Sequence, residues 1–251
     1  MKPPPQACID LPAGHASCHC PAKASDTAVT ETESPFRRIL RRRPMKLYWS
    51  NVTSPRKACV VAKYLQSPVE YAYVDLDRGE QKAPEYLALN PNGKVPTLVD
   101  GTRVLWESDA IMCHLAARSD SDLWPQDDRQ IDVLRWLSWA GQEFNPVASQ
   151  LYFEYIIKPR FNIGEPDVDA AGRAQEAFRQ LAAILENHLQ DRRWLVGKTL
   201  TVADFSLAIT LPYAEAAHIP LAEFPAIQRW HDTLCEIDAW REPFPEIAVA
   251  A

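Results

Sequence analysis

The sequence predicts two parts with different folds, an α/β domain over residues 45–119 and an all-helical domain over residues 126–241. In the first part, short β-prone runs alternate with helical patterns in the order βαβαββα, whereas the second part contains helical patterns only. Between them lies the segment Ser-Asp-Ser-Asp-Leu-Trp-Pro, whose turn-forming residues are typical of a linker. With 251 residues in all, each part is long enough to bury a hydrophobic core.

Residues 1–44 differ from the rest of the chain in composition and charge. They contain seven prolines and carry a net charge of +3, whereas the remainder carries −9 and the whole chain −6. Without sustained apolar periodicity they cannot bury enough surface to offset the entropy lost on ordering, which predicts a disordered N-terminal extension. Three interpretations stay open for it: a real tail, a targeting segment, or an upstream extension of a protein that begins at Met45.

Composition also argues against three kinds of function. No apolar run approaches the about 20 residues of a membrane-spanning helix, so no membrane partner is predicted. The acidic body argues against a nucleic-acid partner. One crowded cluster in the extension contains His15, Cys18, His19 and Cys20. Because zinc sites need two separated ligand pairs, no metal site is predicted.

The cysteines indicate the redox environment. Six are present, and three of them lie beyond the N-terminal extension. Cys59, Cys113 and Cys235 each stand alone within an apolar helical pattern. This placement is typical of reduced thiols rather than of a disulfide framework, and it predicts a cytoplasmic protein.

The first strand, helix and second strand follow Met45 in order. Lys46–Trp49 is a short β-prone run, residues 51–55 are a loop, and Arg56–Tyr64 has helical periodicity. Val69–Leu76 alternates with period two, which predicts a second strand. Residues 79–89 then predict a loop that contains a short helix.

The stretch 90–108 predicts a turn, a hairpin and a helix start. Its Asn-Pro-Asn-Gly sequence is a turn, and Asp-Gly between two β-prone runs is a strong hairpin signal. Pro96 opens the first of these runs, and a cis bond to Val95 is one geometry that places a proline there. Ser108 and Asp109 begin a helical pattern that extends to about residue 117.

The second part consists of four helical patterns. They span Asp128–Lys158, Asp167–Asp191, Thr201–Ala217 and Pro225–Ile237. The third pattern is apolar on nearly all sides, which predicts a position in the core. Thr201 and Asp204 have the spacing of a capping box, with Asp in place of Glu or Gln, so Asp204 is predicted to stabilise the fold.

Two motifs of the chain resemble motifs of the glutathione S-transferase family, in the same order. The run NPNGKVPTLVDG…VLWESDAI resembles the glutathione-binding segment of that family, and WLVGKTLTVADFSLA resembles the start of a buried helix in its helical domain. The resemblance covers residues 45 to about 240. It implies the glutathione transferase fold, an N-terminal α/β thioredoxin-like domain plus an all-α C-terminal domain. It also implies a Ser/Thr-using bacterial-type member, similar to the theta, phi and nu classes.

The resemblance implies how glutathione is bound. The backbone of Val95, before the cis-proline Pro96, pairs with the cysteinyl unit, and Lys94 contacts the peptide. Glu107 and Ser108 hold the γ-glutamyl end. This is chemically reasonable, because a glutamate pairs with the α-ammonium, while helix N–H groups and a hydroxyl receive the α-carboxylate.

Two further roles are implied by the resemblance. Relatives carry a basic pair that contacts the glycyl carboxylate where this chain has Gln81-Lys82, so Lys82 is the expected contact. The residue that activates the thiol must lie in the loop SNVTSPRKA, which contains no tyrosine and no cysteine. The family's serine position falls on Thr53, whereas members with a Ser-Pro pair place the role on Ser54.

A hydroxyl is needed because a free thiol has a pKa of about 8.5, and a donor at a helix N-terminus stabilises the thiolate. We expect Thr53 to face the sulfur and Ser54, directly before Pro55, to be the N-cap of the helix. Ser50 is a third hydroxyl in the same loop.

The resulting hypothesis is a glutathione transferase active in detoxification. Glutathione is the co-substrate and no other cofactor is expected; the partner molecules are glutathione and a small hydrophobic electrophile, and the resemblance implies a homodimer. Aromatic candidates for the wall of the electrophile site are Trp139, Phe144, Tyr152 and Tyr155. Two alternatives stay open: a glutathione-dependent disulfide or peroxide reductase, and a non-catalytic binding protein of the same fold.

Overall fold

A computed structural model describes residues 45–246 of the chain, and the predictions for residues 1–44 lie outside this part. One sheet contains β1 (Met45–Trp49), β2 (Val69–Tyr73), β3 (Thr97–Asp100) and β4 (Arg103–Trp106). Its strand order is β2-β1-β3-β4. β1 and β2 are parallel, whereas β3 runs antiparallel to both of its neighbours.

Three helices accompany this sheet: α1 (Thr53–Tyr64), α2 (Pro84–Leu87) and α3 (Ser108–Arg118). α1 and α3 contact each other, and Val61 and Leu115 from these helices are fully buried in one cluster with Leu98 of β3. The predicted βαβαββα order is therefore confirmed. Because α1 and α3 both begin at the end of a strand, their N-termini are held by the sheet.

In the α/β part, two element bounds differ from the prediction. α1 begins at Thr53 rather than Arg56, because Val52 is extended (φ −142°, ψ 171°) and helical geometry starts directly after it. Pro55 then lies in the first turn, where its missing N–H has no intrahelical partner to lose. β2 is shorter than predicted, since its pairing with β1 ends at Tyr73.

Beyond residue 128 the described chain is helical. The helices are α4 (Arg129–Trp139), α5 (Asn145–Tyr152), α6 (Lys158–Phe161), α7 (Val168–Leu189), α8 (Val202–Leu207), α9 (Pro225–Cys235) and α10 (Asp238–Arg241). The predicted helix 128–158 is divided by two π-helical turns, Ala140–Phe144 and Phe153–Ile157, which change the direction of the side chains that follow. Among residues 45–246, no helix is long and apolar enough to cross a membrane.

α8 is much shorter than the helix predicted over 201–217. It ends at Leu207 and is followed by turns. Pro212 explains the break, because in a continued helix its ring would clash with the carbonyl group of Ala208 and it has no N–H to donate. All of α8 is buried, as its apolar pattern predicts.

The capping box at α8 is confirmed. Asp204 is fully buried and accepts the backbone N–H groups of Leu195 and Thr201, each at 2.9 Å. Its carboxylate also accepts the Thr201 hydroxyl at 3.0 Å and the indole N–H of Trp230 at 3.1 Å. Asp204 therefore connects the start of α8 to the preceding connector and to α9, which agrees with a structural role.

Candidate active site

The register of the sheet brings three separate segments to one end of the molecule. Tyr48 of β1 pairs with Thr97 of β3, and Thr97 in turn pairs with Trp106 of β4. The loop after β1, the Val95–Pro96 bond before β3, and Glu107 after β4 therefore lie side by side. Because the two helices that follow β1 and β4 begin here, both helix N-termini also face this end of the sheet.

The Val95–Pro96 peptide bond is cis, and buried polar side chains hold the backbone before it. The carbonyl oxygen of Lys94 accepts the Tyr86 hydroxyl at 2.7 Å and the Asn90 amide at 2.8 Å. Tyr86 and Asn90 also bond to the Thr97 hydroxyl, at 2.9 and 3.2 Å. This network fixes the backbone on both sides of the Val95–Pro96 bond.

Sequence reasoning missed both of these supporting side chains. The sequence pattern identifies Asn90 only as a turn former, although an Asn ahead of a Pro-Asn-Gly turn has an amide available to hold the residues that follow. Tyr86 gave no signal, since a tyrosine in a short helix is usually a packing residue. Their role depends on the path of the loop in space.

The N-terminus of α1 carries the candidate hydroxyls. Thr53 is its first residue and is half-buried, whereas Ser54 follows it and is exposed. The prediction that Ser54 is the N-cap is wrong, because Val52 holds that position and no side chain caps the helix. The third hydroxyl, that of Ser50, does not reach the surface, because Ser50 is fully buried. The Ser50 hydroxyl has no hydrogen-bond partner within the described residues.

At the N-terminus of α3, Glu107 has an unusual backbone. Its φ of 71° lies in the left-handed region, which a residue with a side chain occupies at a cost of about 1–3 kcal/mol. The Glu107 side chain is exposed, and Ser108, the first residue of α3, is buried. The strained backbone presents an acidic side chain next to a hydroxyl and the open N–H groups of a helix start.

The two candidate lysines lie on either side of the Asn-Pro-Asn-Gly turn. Lys82 ends the short 3-10 helix Glu80–Lys82, and its Nζ would lie 2.8 Å from a Cβ added at Gly93. Lys94 directly follows Gly93, and the side chains of Lys82 and Lys94 are both exposed. The structure therefore brings Lys82 against the turn that leads to the cis-proline.

A buried charge cluster connects the site to the helical part. Lys57 of α1 donates to the Asp109 carboxylate at 2.9 Å and to the Ser206 hydroxyl at 3.0 Å, and Ser206 donates to Asp109 at 2.9 Å. The Lys57 side chain is only 10% exposed. Since Asp109 follows Ser108 directly, this cluster holds the first turn of α3 against α1 and α8. No sequence signal links these three residues.

The aromatic residues proposed for the electrophile site have different positions. Phe144 is fully buried between Trp139 and Phe178, so its prediction as a wall residue is wrong. Trp139 stacks on Phe144 and contacts the core. Tyr152 is also buried, and its ring meets that of the half-buried Tyr213 edge-on at 5.0 Å, in a cluster that includes Arg56 of α1.

Two arginines from different helices lie near Tyr152 and Tyr213. Arg56 is buried, and its Nη2 donates to the carbonyl oxygen of Trp240. Arg160 of α6 donates from Nη1 to the carbonyl oxygen of Asn51 at 2.8 Å, which ties the helical part to the loop before Thr53. Within residues 45–246, no group of three or more His, Cys, Asp or Glu side chains is arranged to hold a metal ion.

Two family models match the chain. The model of the glutathione S-transferase N-terminal domain matches residues 44–117, and that of the C-terminal domain matches residues 144–238. Among curated relatives, glutathione S-transferase 3 of Zea mays is 31% identical over 79% of this chain and 92% of its own length. Glutathione S-transferase 2 of Schizosaccharomyces pombe is 32% identical over 78% of this chain and 93% of its own.

Solved structures agree with these sequence matches. Glutathione S-transferase III in its apo form is 29% identical, with a TM-score of 0.73 over 83% of this chain and 99% of that one. A glutathione transferase of Phanerochaete chrysosporium, solved with oxidized glutathione, is 27% identical, with a TM-score of 0.69 over 79% of this chain and 92% of that one. The fold and the family matches therefore extend over both parts of the described chain.

Proposed function

The chain belongs to the glutathione S-transferase family and is a glutathione transferase, and on this premise we propose that its glutathione site lies at the end of the sheet where the N-termini of α1 and α3 meet. The observation that carries the proposal is the strand register, which brings the loop before Thr53, Val95–Pro96 and Glu107 together. Measurement of the conjugation of glutathione with chlorodinitrobenzene tests the activity. No acceleration over the spontaneous rate with this or other electrophiles would contradict it.

Thr53 activates the thiol in this proposal. Its hydroxyl belongs to the first residue of α1, beside the open N–H groups of the first turn, and together these donors can stabilise a negative sulfur. A hydrogen bond to the thiolate favours the charged form and lowers the thiol pKa. Thr53 is favoured over Ser54 and Ser50 because it is the helix's first residue and half-buried, whereas Ser54 is exposed and Ser50 is fully buried.

The remaining glutathione contacts follow from the geometry around the turn. The backbone of Val95 pairs with the cysteinyl unit, while Lys94 and Lys82 supply positive charge for the glycyl carboxylate. Glu107 receives the α-ammonium, and Ser108 with the first N–H groups of α3 receives the α-carboxylate. No further cofactor is needed for this chemistry.

In the transfer step the sulfur anion attacks the electrophilic carbon of the second substrate. A carbon–sulfur bond forms, and the bond to the leaving group breaks with its electron pair. The chain's own contribution is to keep the sulfur deprotonated and to hold it near Arg160, which is bonded to the loop before Thr53. A role in detoxification is consistent with such a conjugation reaction.

The γ-glutamyl contacts give a binding prediction. Glu107→Ala and Ser108→Ala are each expected to weaken glutathione binding by about 1.5–3 kcal/mol, because each removes a charge-assisted hydrogen bond. Titration calorimetry measures this directly. Glu85→Ala, at an exposed glutamate of α2, is the matched control and should leave the affinity unchanged.

Folding and binding can be separated at Glu107. Because its φ of 71° suits glycine, Glu107→Gly is expected to keep or raise the thermal stability while it weakens glutathione binding as Glu107→Ala does. Unchanged affinity in both Glu107 variants and in Ser108→Ala would remove the assignment of the γ-glutamyl contacts.

The proposed assembly is a homodimer. Val104 and Trp106 point to one face of the edge strand β4 and are 37% and 44% exposed, although both are large and apolar. Ile131 and Leu134 form an exposed apolar pair at i, i+3 on α4, at 69% and 45%. Exposed apolar side chains in such groups are typical of an interface with a partner.

A charge on these surfaces is expected to separate the dimer. Trp106→Glu and Ile131→Glu should shift the mass measured by light scattering toward that of a single chain, because a buried unpaired charge is strongly unfavourable at an interface. Val168→Glu is the control. Val168 is also apolar and is 75% exposed, but it lies at the start of α7 outside these two groups, so this substitution should leave the mass unchanged. A wild-type protein with the mass of one chain contradicts the proposal.

The location proposed is the cytoplasm. Cys59, Cys113 and Cys235 are free thiols, and burial raises the pKa of Cys59 to about 12, so this thiol stays protonated and inert. Unbridged cysteines of this kind are typical of a reducing compartment.

A further inference from the structure

We propose that the second substrate of this enzyme carries an anionic group, which the guanidinium of Arg160 binds beside Thr53. The inference rests on the proposed function, because it names the substrate class for the same active site. It replaces a merely apolar electrophile by one that combines an electrophilic carbon with a carboxylate or a comparable anion.

Arg160 places a partly accessible charge next to the thiol-activating loop. Its Nη1 donates to the carbonyl oxygen of Asn51 at 2.8 Å, in the loop that leads directly to Thr53, the first residue of α1. This bond is to a neutral group. Arg160 also forms an ion pair with Asp77, whose carboxylate oxygen is 3.8 Å from Nη2 and whose side chain is 59% exposed. This ion pair is therefore long and screened by water.

The Arg160 side chain is itself 31% exposed. A guanidinium has five N–H donors in a planar fork and can receive a carboxylate with two parallel bonds while a further N–H keeps its bond to the backbone. The π-helical turn Phe153–Ile157, directly before α6, sets the direction in which this side chain leaves the helix. An unusual turn of this kind is frequent where a helix serves a site.

A second guanidinium lies on the same side of α1 as Thr53. Arg56 follows Thr53 at i+3, is buried, and leaves its Nε without a hydrogen-bond partner in the described part of the chain. Burial lowers the pKa of Arg56, but the group stays charged at neutral pH. None of the ion pairs within residues 45–246 includes Arg56, so its charge is not neutralised there.

Two phenols lie near these cations. The rings of Tyr152 and Tyr213 meet at 5.0 Å, and the Arg56 guanidinium is 5.9 Å from the Tyr213 ring. Burial raises the pKa of Tyr152 to about 12, and the charges of Arg160 and Arg56 oppose that rise, so both cations are within electrostatic range of its hydroxyl. Tyr152 therefore stays protonated at neutral pH. Its side chain is buried, whereas that of Tyr213 is half-buried and is the ring that can contact the body of a substrate.

This local charge contrasts with the charge of the molecule. The chain carries a net charge of −6, which repels anions at long range. Preference for an anionic electrophile would therefore come from the local charge of Arg160, and it would weaken with ionic strength as the ion pair with the substrate is screened.

The experiment compares two conjugates that differ only in charge. S-(para-carboxybenzyl)glutathione and its benzoate methyl ester have the same glutathione part and nearly the same shape. Calorimetry with the wild-type protein is expected to give an affinity for the carboxylate that is roughly tenfold higher or more, the range of a charge-assisted hydrogen bond. The ratio of the two affinities should fall at high salt.

Arg160→Gln should bring this ratio close to one while the affinity for glutathione alone is kept, and Arg160→Lys should restore part of it. Arg135→Gln, at an exposed arginine of α4 paired with Asp132, is the matched control and should keep the wild-type ratio.

Each other outcome overturns the inference. Equal wild-type affinities, or a ratio that Arg160→Gln leaves unchanged, remove the anion site. An equal loss for both conjugates assigns Arg160 to the position of the loop alone, and a loss of glutathione affinity assigns it to the glutathione site. If glutathione itself does not bind the wild-type protein, the proposed function fails, which is a different result from equal binding of the two conjugates.

Discussion

Thr53→Ala is expected to raise the pKa of enzyme-bound glutathione by one unit or more, a loss of at least about 1.4 kcal/mol of thiolate stabilisation. The substitution removes the hydroxyl donor but leaves the N–H groups of the helix start, so the pKa should remain below that of a free thiol, about 8.5. The thiolate absorbance of the binary complex, titrated against pH, measures the shift. Conjugation rates at neutral pH should fall in parallel.

Two variants of the same loop sharpen this test. Thr53→Ser keeps the hydroxyl and should keep most of the activity. Ser54→Ala should change neither the titration nor the stability, because Ser54 is exposed and caps no helix. If Ser54→Ala shifts the thiolate titration and Thr53→Ala does not, the assignment of the activating hydroxyl is reversed.

Asp204→Ala is expected to lower the free energy of unfolding by about 3–5 kcal/mol. The substitution leaves four donors without an acceptor in a fully buried position: the N–H groups of Leu195 and Thr201, the Thr201 hydroxyl and the Trp230 indole. Each unsatisfied buried group costs about 1–3 kcal/mol, and the losses are not additive. Urea denaturation followed by tryptophan fluorescence measures the change.

Asp167→Ala is the matched control for this prediction. Asp167 is also an aspartate at a helix start, but it is exposed, and its side chain caps the helix by accepting the N–H of Ala170 at 2.9 Å. Asp167→Ala should lower the free energy of unfolding by about 0.5–2 kcal/mol. A loss of activity in Asp204→Ala without a loss of stability would contradict the structural role of Asp204.

The destabilisation by Asp204→Ala should also depend on pH. Burial raises the pKa of Asp204 to about 6, against the effect of its four donors. Between about pH 4 and pH 6 the folded protein therefore holds a proton that the unfolded chain releases, so the stability contributed by this carboxyl falls as pH rises through that window. The difference between wild type and Asp204→Ala should accordingly be larger at pH 5 than at pH 7.5.

The sequence by itself determined the features that depend on neighbouring residues. The Asp-Gly turn and its flanking β-prone runs are sufficient for the hairpin, since turn geometry is set by the residues within it. The Thr201–Asp204 spacing is sufficient for the capping box, because the two residues satisfy each other's backbone within one turn. Order and spacing of such local patterns also identified the family and placed the turn, Pro96 and Glu107 in the candidate site.

Only the tertiary structure decided which residues support the site from elsewhere in the chain. Asn51 and Arg160 are 109 positions apart, and Lys57 and Ser206 are 149 apart. Such contacts depend on how the π-helical turns and helix ends direct the chain, and no local pattern records that path. The N-cap of α1 was also decided by the tertiary structure, because the Ser54-Pro55 sequence favours Ser54 as the N-cap whereas Val52 holds that position. The extended backbone of Val52 starts the helix one residue before Ser54, because the end of β1 fixes where the chain can turn.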